Sequence, residues 1–230
     1  VCRIGTHLQT YAEDIEAFGG WGSGTRRAVG RWFNERSPLH LAQQVTKYQQ
    51  RNGWAMRDLL RLAHVVPASP EHNAIYQWVT KGTLAELDGE GMAYLRAVET
   101  LKTCTKPKAA ASLIREYKLP REVVPTQLLN DVEVWDALLE NMKPEAMVRN
   151  LGKMTSIGLL APLSKHTNFV TGVLGNADAL KRARLHPIKV LAALLTYKQG
   201  HGVKGSLSWQ PVNSIVDALD GAFYTCFQAV

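Results

Sequence analysis

The chain has 230 residues, of which 46% are apolar, 20% charged and 8% aromatic, and its 27 Lys and Arg against 20 Asp and Glu give a net charge of +7. Those proportions exclude global disorder, and at this length a folded chain buries roughly 70% of the surface its unfolded form exposes, so no disulfide or metal is needed as a staple. The three cysteines, Cys2, Cys104 and Cys226, are widely spaced and odd in number, which excludes a disulfide framework and a CxxC metal pair and fits free thiols in a reducing, cytoplasmic setting. No uncharged apolar run approaches the ~20 residues of a membrane span, the longest, near Thr155 to Ser164, being broken by Pro162. The opening Val1-Cys2-Arg3-Ile4 is no signal peptide.

In chain order the pattern is helical almost throughout, and period-2 strand alternation is nearly absent. The chain lacks an initiator Met and opens inside a helix, so it reads as a fragment. Ser37-Pro38 is a cap with a first-turn proline and starts a helix expected to reach Arg51, where Asn52-Gly53 stops it. A second helix is expected over 55–66, ended by Pro67, and a third from Ser69-Pro70 to Gly82. Further helices are expected near 91–103, 107–118, 129–141, 144–153, 168–184, 187–199 and 212–228. Helices this short with short connections read as stacked hairpins, each burying its apolar face against its neighbours. The fold class is therefore all-α, an irregular HEAT-like repeat array, in one domain over residues 1–230.

The charge is unevenly spread. Residues 21–66 hold eight bases and two acids, residues 67–142 eight bases and eleven acids, and residues 143–205 ten bases and two acids. A solvated helix face mixes both signs, because oppositely charged i,i+4 pairs stabilise it. Two blocks with at least a four-fold excess of bases point instead to a partner that supplies the negative charge. In the first block His40, Gln44, Lys47 and Arg51 recur at spacings of four, three and four, and Arg57, Arg61 and His64 at four and three. Each set shares a helical face, with Leu41, Val45 and Tyr48 beside the first and Leu59, Leu62, Ala63 and Val66 as the buried stripe of the second. The Asn-Gly turn should bring the two faces together. Arg offers a planar fork to phosphate, Lys a point charge, and His a hydrogen bond to phosphate or 2′-hydroxyl. A merely solvated face stays open as the plain alternative.

In the second block Arg149 and Lys153 close one helix, and Lys181, Arg182 and Arg184 precede His186-Pro187. The run Lys198-Gln199-Gly200-His201-Gly202-Val203-Lys204-Gly205 puts three glycines in a basic loop where backbone N–H groups can approach a phosphate, although they can equally just end a helix. Tyr48, Trp54, Tyr197 and Trp209 are candidates for base stacking or for the core. No Walker A loop, HExxH, GxSxG, GxGxxG or EF-hand loop occurs, and the seven histidines form no metal-ligand spacing. No enzyme, no metal site and no cofactor is expected.

Several segments in one order resemble the TROVE-domain family, which includes the Ro autoantigen and its bacterial relatives. They are Val45 to Trp54 (VTKYQQRNGW), Arg57 to His64 (RDLLRLAH), Arg3 to Thr10 (RIGTHLQT), Val148 to Met154 (VRNLGKM), Ala183 to Pro187 (ARLHP) and Thr196 to Gly202 (TYKQGHG). The resemblance implies HEAT-like repeats forming part of a ring. It implies binding of Y RNAs on the outer surface and of single-stranded 3′ ends of misfolded RNAs, in RNA quality control. It implies an exoribonuclease such as polynucleotide phosphorylase as a partner tethered through RNA. Lys47, Arg51 and His64 match family positions implicated in Y RNA binding. The family also implies more helix before Arg3 and a following von Willebrand factor A-like domain with a D-x-S-x-S metal motif. No such motif occurs here, so that domain and its metal site are not expected in this chain. The competing reading from the same basic faces is a helical adaptor for an acidic protein, and a ribonuclease is the third.

Overall fold

The computed structural model describes residues 2–228; Val1, Ala229 and Val230 lie outside the described residues. Among the described residues there are thirteen α-helices and one small hairpin. In order they are α1 (Gly5–Phe18), α2 (Ser23–Asn34), α3 (Pro38–Lys47), β1 (Gln50–Arg51), β2 (Trp54–Ala55), α4 (Met56–Ala63), α5 (Pro70–Lys81), α6 (Glu90–Thr103), α7 (Pro107–Tyr117), α8 (Val132–Glu140), α9 (Pro144–Ser156), α10 (Lys165–Leu174), α11 (Ala177–Ala183), α12 (Pro187–Gln199) and α13 (Asn213–Gln228). The all-α reading holds. No helix among the described residues is long and apolar enough to cross a membrane.

The contacts separate into two compact units. The first holds α1 to α6 and a 3-10 turn, Arg121–Val123; the second holds α7 to α13 and a 3-10 turn, Thr126–Asn130. In the first unit α3 packs mainly against α6 and α5, and α4 mainly against α2 and α5. Phe33, Leu41, Leu59, Ile75, Met92 and Leu95 fill the space between them and are fully buried. In the second unit α7 packs on α8 and α13 on α12 and α10, around Trp135, Met147, Leu151, Val170, Tyr197 and Ile215. Each such side chain contributes about 1.5–3 kcal/mol on burial. Two buried polar side chains find partners within the protein: the His72 ring bonds Ser69 Oγ at 2.8 Å and the Arg36 carbonyl at 3.0 Å, and Thr167 Oγ1 donates to the Ala161 carbonyl at 2.8 Å.

The helix starts follow from side-chain chemistry. Ser37 Oγ accepts from the His40 N–H and Ser69 Oγ from the His72 N–H, both at 3.3 Å, and Pro38 and Pro70 occupy first-turn positions where no N–H is needed. Asp131, Ser164 and Asn176 cap α8, α10 and α11 in the same way.

Four expectations on the elements need correction. The first helix stops at Lys47 and does not reach Arg51. Asn52 and Gly53 both adopt positive φ, 51° and 78°, which makes Asn-Gly a two-residue hairpin loop and not a helix stop. Gln50 then pairs with Ala55 and Arg51 with Trp54. The helix expected over 168–184 is two, α10 and α11, because Gly175 is the C-cap of the first and Asn176 the N-cap of the second. On α4 the buried set is Met56, Leu59, Leu60 and Ala63, whereas Leu62 and Val66 are 38% and 79% exposed, since the helix ends at Ala63 and Val66 lies beyond it. The chain does not open inside a helix: α1 begins at Gly5, after Cys2 to Ile4.

Candidate nucleic-acid interface

The α3–hairpin–α4 segment is positioned by α1. The Gly5 N–H donates to Gln44 Oε1 at 3.0 Å, and Gln9 Nε2 donates to the carbonyls of Tyr48 at 2.9 Å and Trp54 at 3.2 Å. Gly5 is required there: a Cβ on it would lie 2.6 Å from Tyr48 Cβ. From the hairpin tip, Asn52 Nδ2 donates back to Glu13 Oε2 at 2.6 Å. The hairpin is thus tied at base and tip, and its outward side chains are held on a fixed frame.

On that frame Arg51, Arg57, Arg61, His40 and His64 are exposed, and Lys47 and Tyr48 are half-buried. Lys47 Nζ stands 5.6 Å from the centre of the Tyr48 ring, a cation–π distance. Among the described residues none of Lys47, Arg51 and His64 forms an ion pair. Arg57 meets Asp58 at 3.6 Å, an exposed pair worth little, while Asp58 also accepts from the Ala55 N–H at 3.1 Å to start α4. Arg61 reaches the Thr80 carbonyl at 3.4 Å. His64 is the left-handed C-cap of α4, at φ 48° and ψ 49°.

The expectation that two helical faces simply merge is corrected. Arg51 reaches solvent from a strand, and α3 and α4 each pack mainly on other helices. Gln44 is not on an open face; it is buried, bonded to Gly5 and to the His40 ring at 3.2 Å. One basic residue of the block is structural: the Arg36 guanidinium lies 3.8 Å from the centre of the Trp32 ring and donates to the Cys2, Arg3 and Trp32 carbonyls, and burial pulls its pKa down.

The acidic middle block uses several of its carboxylates internally. Asp136 accepts from Arg115 at 2.8 Å and from the His166 ring at 2.6 Å, Glu140 from Arg115 at 2.7 Å, and Glu71 from the Gly91 and Met92 N–H groups at 2.8 and 3.3 Å. Each of these carboxylates serves contacts within its own unit, and none of them pairs with Lys47, Arg51 or His64.

In the second unit Arg149, His186, Lys198, His201 and Lys204 are exposed, whereas Lys153 is half-buried and donates to Asn130 Oδ1 at 2.7 Å. His186 serves as N-cap of α12, its Nδ1 accepting from the Ile188 N–H at 3.2 Å. The His201 ring bonds Gln199 and the Gly202 carbonyl, both at 3.1 Å. Tyr197 is a core residue and Trp209 is half-buried against it. Tyr197 is 2% exposed, and Trp209 stacks on it at 6.0 Å, donating to its carbonyl at 3.0 Å. Burial pushes the Tyr197 phenol pKa up. Trp209 presses on Gly152 of α9 and so pins the glycine-rich loop to the second unit.

Three arginines escaped the sequence reading. Arg26, Arg27 and Arg31 are exposed on α2, without ion pairs among the described residues, and α2 packs along α4. Their signal was there: residues 17–34 contain three bases and no acid.

Against known proteins, the family described as TROVE domain matches residues 2–112 and 114–195. The chain is 36% identical over 228 residues to the RNA-binding protein RO60 of Deinococcus radiodurans, covering 99% of this chain and 43% of that protein. It is 33% identical to the RNA-binding protein RO60 of Caenorhabditis elegans, covering 99% of this chain and 44% of the other. The crystal structure of the Deinococcus radiodurans RO (RSR) protein superposes with a TM-score of 0.82 at 35% identity, over 100% of this chain and 46% of that one. The chain spans less than half the length of these relatives.

Proposed function

Because this chain belongs to the TROVE domain family, we propose that it is a non-catalytic RNA-binding scaffold. Its ligands are small structured, Y-like RNAs and single-stranded 3′ ends of misfolded RNAs, and its role is RNA quality control in the cytoplasm. An exoribonuclease is recruited through the bound RNA, and residues 1–230 act as one repeat domain. The observation that carries this reading is that Lys47 at the end of α3, Arg51 on the hairpin braced by α1 and His64 at the C-cap of α4 have no carboxylate of the described residues paired to them. Cations left open on a rigid frame attract phosphate and release counterions, and an imidazole adds a hydrogen bond to a phosphate or 2′-hydroxyl. Arg57, Arg61 and His40 extend the surface in the first unit. Arg149, Lys153, His186, Lys198, His201 and Lys204 supply cations and donors in the second.

The test is fluorescence anisotropy with a structured RNA bearing a free 3′ tail, between ~50 and ~200 mM salt. Log K should fall with log salt by about 0.7 per single-strand phosphate neutralised. The triple variant Lys47→Ala, Arg51→Ala, His64→Ala should lose about tenfold or more in affinity while keeping its melting temperature. A salt-independent constant, or wild-type affinity in the triple variant, overturns the assignment. Tighter binding of an acidic protein than of RNA would favour the adaptor reading. The RNA should come back intact after prolonged incubation with the protein.

A further inference from the structure

We infer that the second unit holds a pocket for a single unstacked nucleotide, with its base or ribose against an apolar wall and its phosphate on a cationic mouth. The inference rests on the RNA-binding reading of the chain but uses none of the hairpin residues. A cavity of about 160 Å³ opens between the end of α11, the start of α12 and the last turns of α13. Its inner wall is apolar: Leu180, Leu185 and Cys226 are 1%, 4% and 3% exposed. Its mouth carries Lys181, Arg184 and His186, all exposed. Among the described residues none of the three is in an ion pair, and no carboxylate lines the cavity.

The backbone assembles this mouth. Arg184 takes the left-handed conformation at the end of α11, φ 51° and ψ 45°, with its N–H on the Leu180 and Lys181 carbonyls. A non-glycine residue there is uncommon. The reversal it makes turns the chain within two residues into α12, so that Lys181, Arg184 and His186 meet one cavity. His186 is oriented by its own cap: Nδ1 accepts from the Ile188 N–H, which leaves the ring proton on Nε2 as a donor. The mouth therefore presents only donors.

An apolar wall under a donor-only mouth selects an anion joined to an apolar body. A bare phosphate would not use the wall, and a neutral base would not use the mouth. The volume lies below the ~300–1,000 Å³ of drug-sized ligand sites, so one nucleotide component enters and a dinucleotide does not. Unstacked bases in loops and tails are the parts of an RNA free to enter such a site.

The experiment is ¹H–¹⁵N NMR of the whole chain titrated separately with UMP, AMP, inorganic phosphate and adenosine. UMP or AMP should shift the Lys181, Leu185, Thr225 and Cys226 amides with a Kd on the order of 1 mM, as suits a ligand this small. Phosphate and adenosine should need about tenfold higher concentrations, since each engages half the site. The surface variant Lys181→Ala with Arg184→Ala should weaken UMP about tenfold and leave the fold intact; Cys226→Met, which fills the cavity, should do the same for AMP. No shift with either nucleotide overturns the pocket, as does phosphate binding equal to UMP, which would mark a simple anion site. A chain that binds structured RNA yet ignores UMP fails only here, whereas one that takes UMP but no RNA fails the RNA-binding reading instead.

Discussion

Replacing Gly152 by alanine sets two effects against each other at one atom. Gly152 lies inside α9, where Gly→Ala ordinarily stabilises a helix by roughly 0.5–1 kcal/mol. Here the new Cβ would stand 2.6 Å from the outer ring carbons of Trp209. The indole has little room to yield, because it stacks on Tyr197 and donates to the Tyr197 carbonyl at 3.0 Å, while the Trp209 N–H donates to the Gly200 carbonyl at 2.8 Å. Overpacking costs about 1–3 kcal/mol, and weakening the indole bond about 0.5–1.5 kcal/mol more. Set against the helix gain, Gly152→Ala should destabilise by about 1–3 kcal/mol and lower the melting temperature by roughly 2–4 °C per kcal/mol. Gly172 on α10 is the control, since a Cβ there meets nothing within 4 Å; Gly172→Ala should raise the melting temperature by a few degrees. Calorimetry gives both values, and tryptophan fluorescence reports whether Trp209 is displaced. If both substitutions raised the melting temperature equally, the pinning of the glycine-rich loop by Trp209 would be refuted.

Other outcomes follow from the same reasoning. Gly5→Ala should destabilise the first unit by about 1–3 kcal/mol, because its Cβ meets Tyr48 and Met56 at the root of the hairpin, and should weaken RNA binding with it; unchanged melting and affinity would show that α1 does not brace the hairpin. Lys47→Ala with Arg51→Ala should flatten the salt dependence of RNA binding by about 1.4 in log–log slope, two phosphate contacts at about 0.7 each; an unaltered slope would place the phosphates elsewhere. Burial raises the phenol pKa of Tyr76, Tyr94 and Tyr197 above the ordinary 10.0. Their contribution is therefore fully present below pH ~10 and is lost as pH climbs above it, since the unfolded chain ionises first, at up to about 1.4 kcal/mol per pH unit for each tyrosine. Circular dichroism followed together with tyrosinate absorbance should show these three ionising only as the chain unfolds; ionisation near pH 10 in a folded protein would contradict their burial.

The sequence by itself determined the fold class, most helix starts and the uneven distribution of bases along the chain. Those are local properties: Ser-Pro at 37–38 and 69–70 carries cap and first turn together, apolar spacing marks buried faces, and blocks of bases without acids are visible in a string of letters. What lay beyond it depends on groups distant along the chain. Asn52-Gly53 reads as a helix stop until α1 holds the segment as a hairpin, Gly5 and Gln9 donating to it and Glu13 accepting from Asn52. Gln44 reads as surface until Gly5 covers it, and Tyr197 and Trp209 stay open between base stacking and the core until they are found stacked on each other. Charge count alone did not separate Arg36, consumed by Trp32 and three carbonyls, from Arg51, which stays open. Whether a cation serves the fold or a ligand is decided by which carbonyls, rings and carboxylates lie within a few ångströms of it, and only the tertiary structure brings those into place.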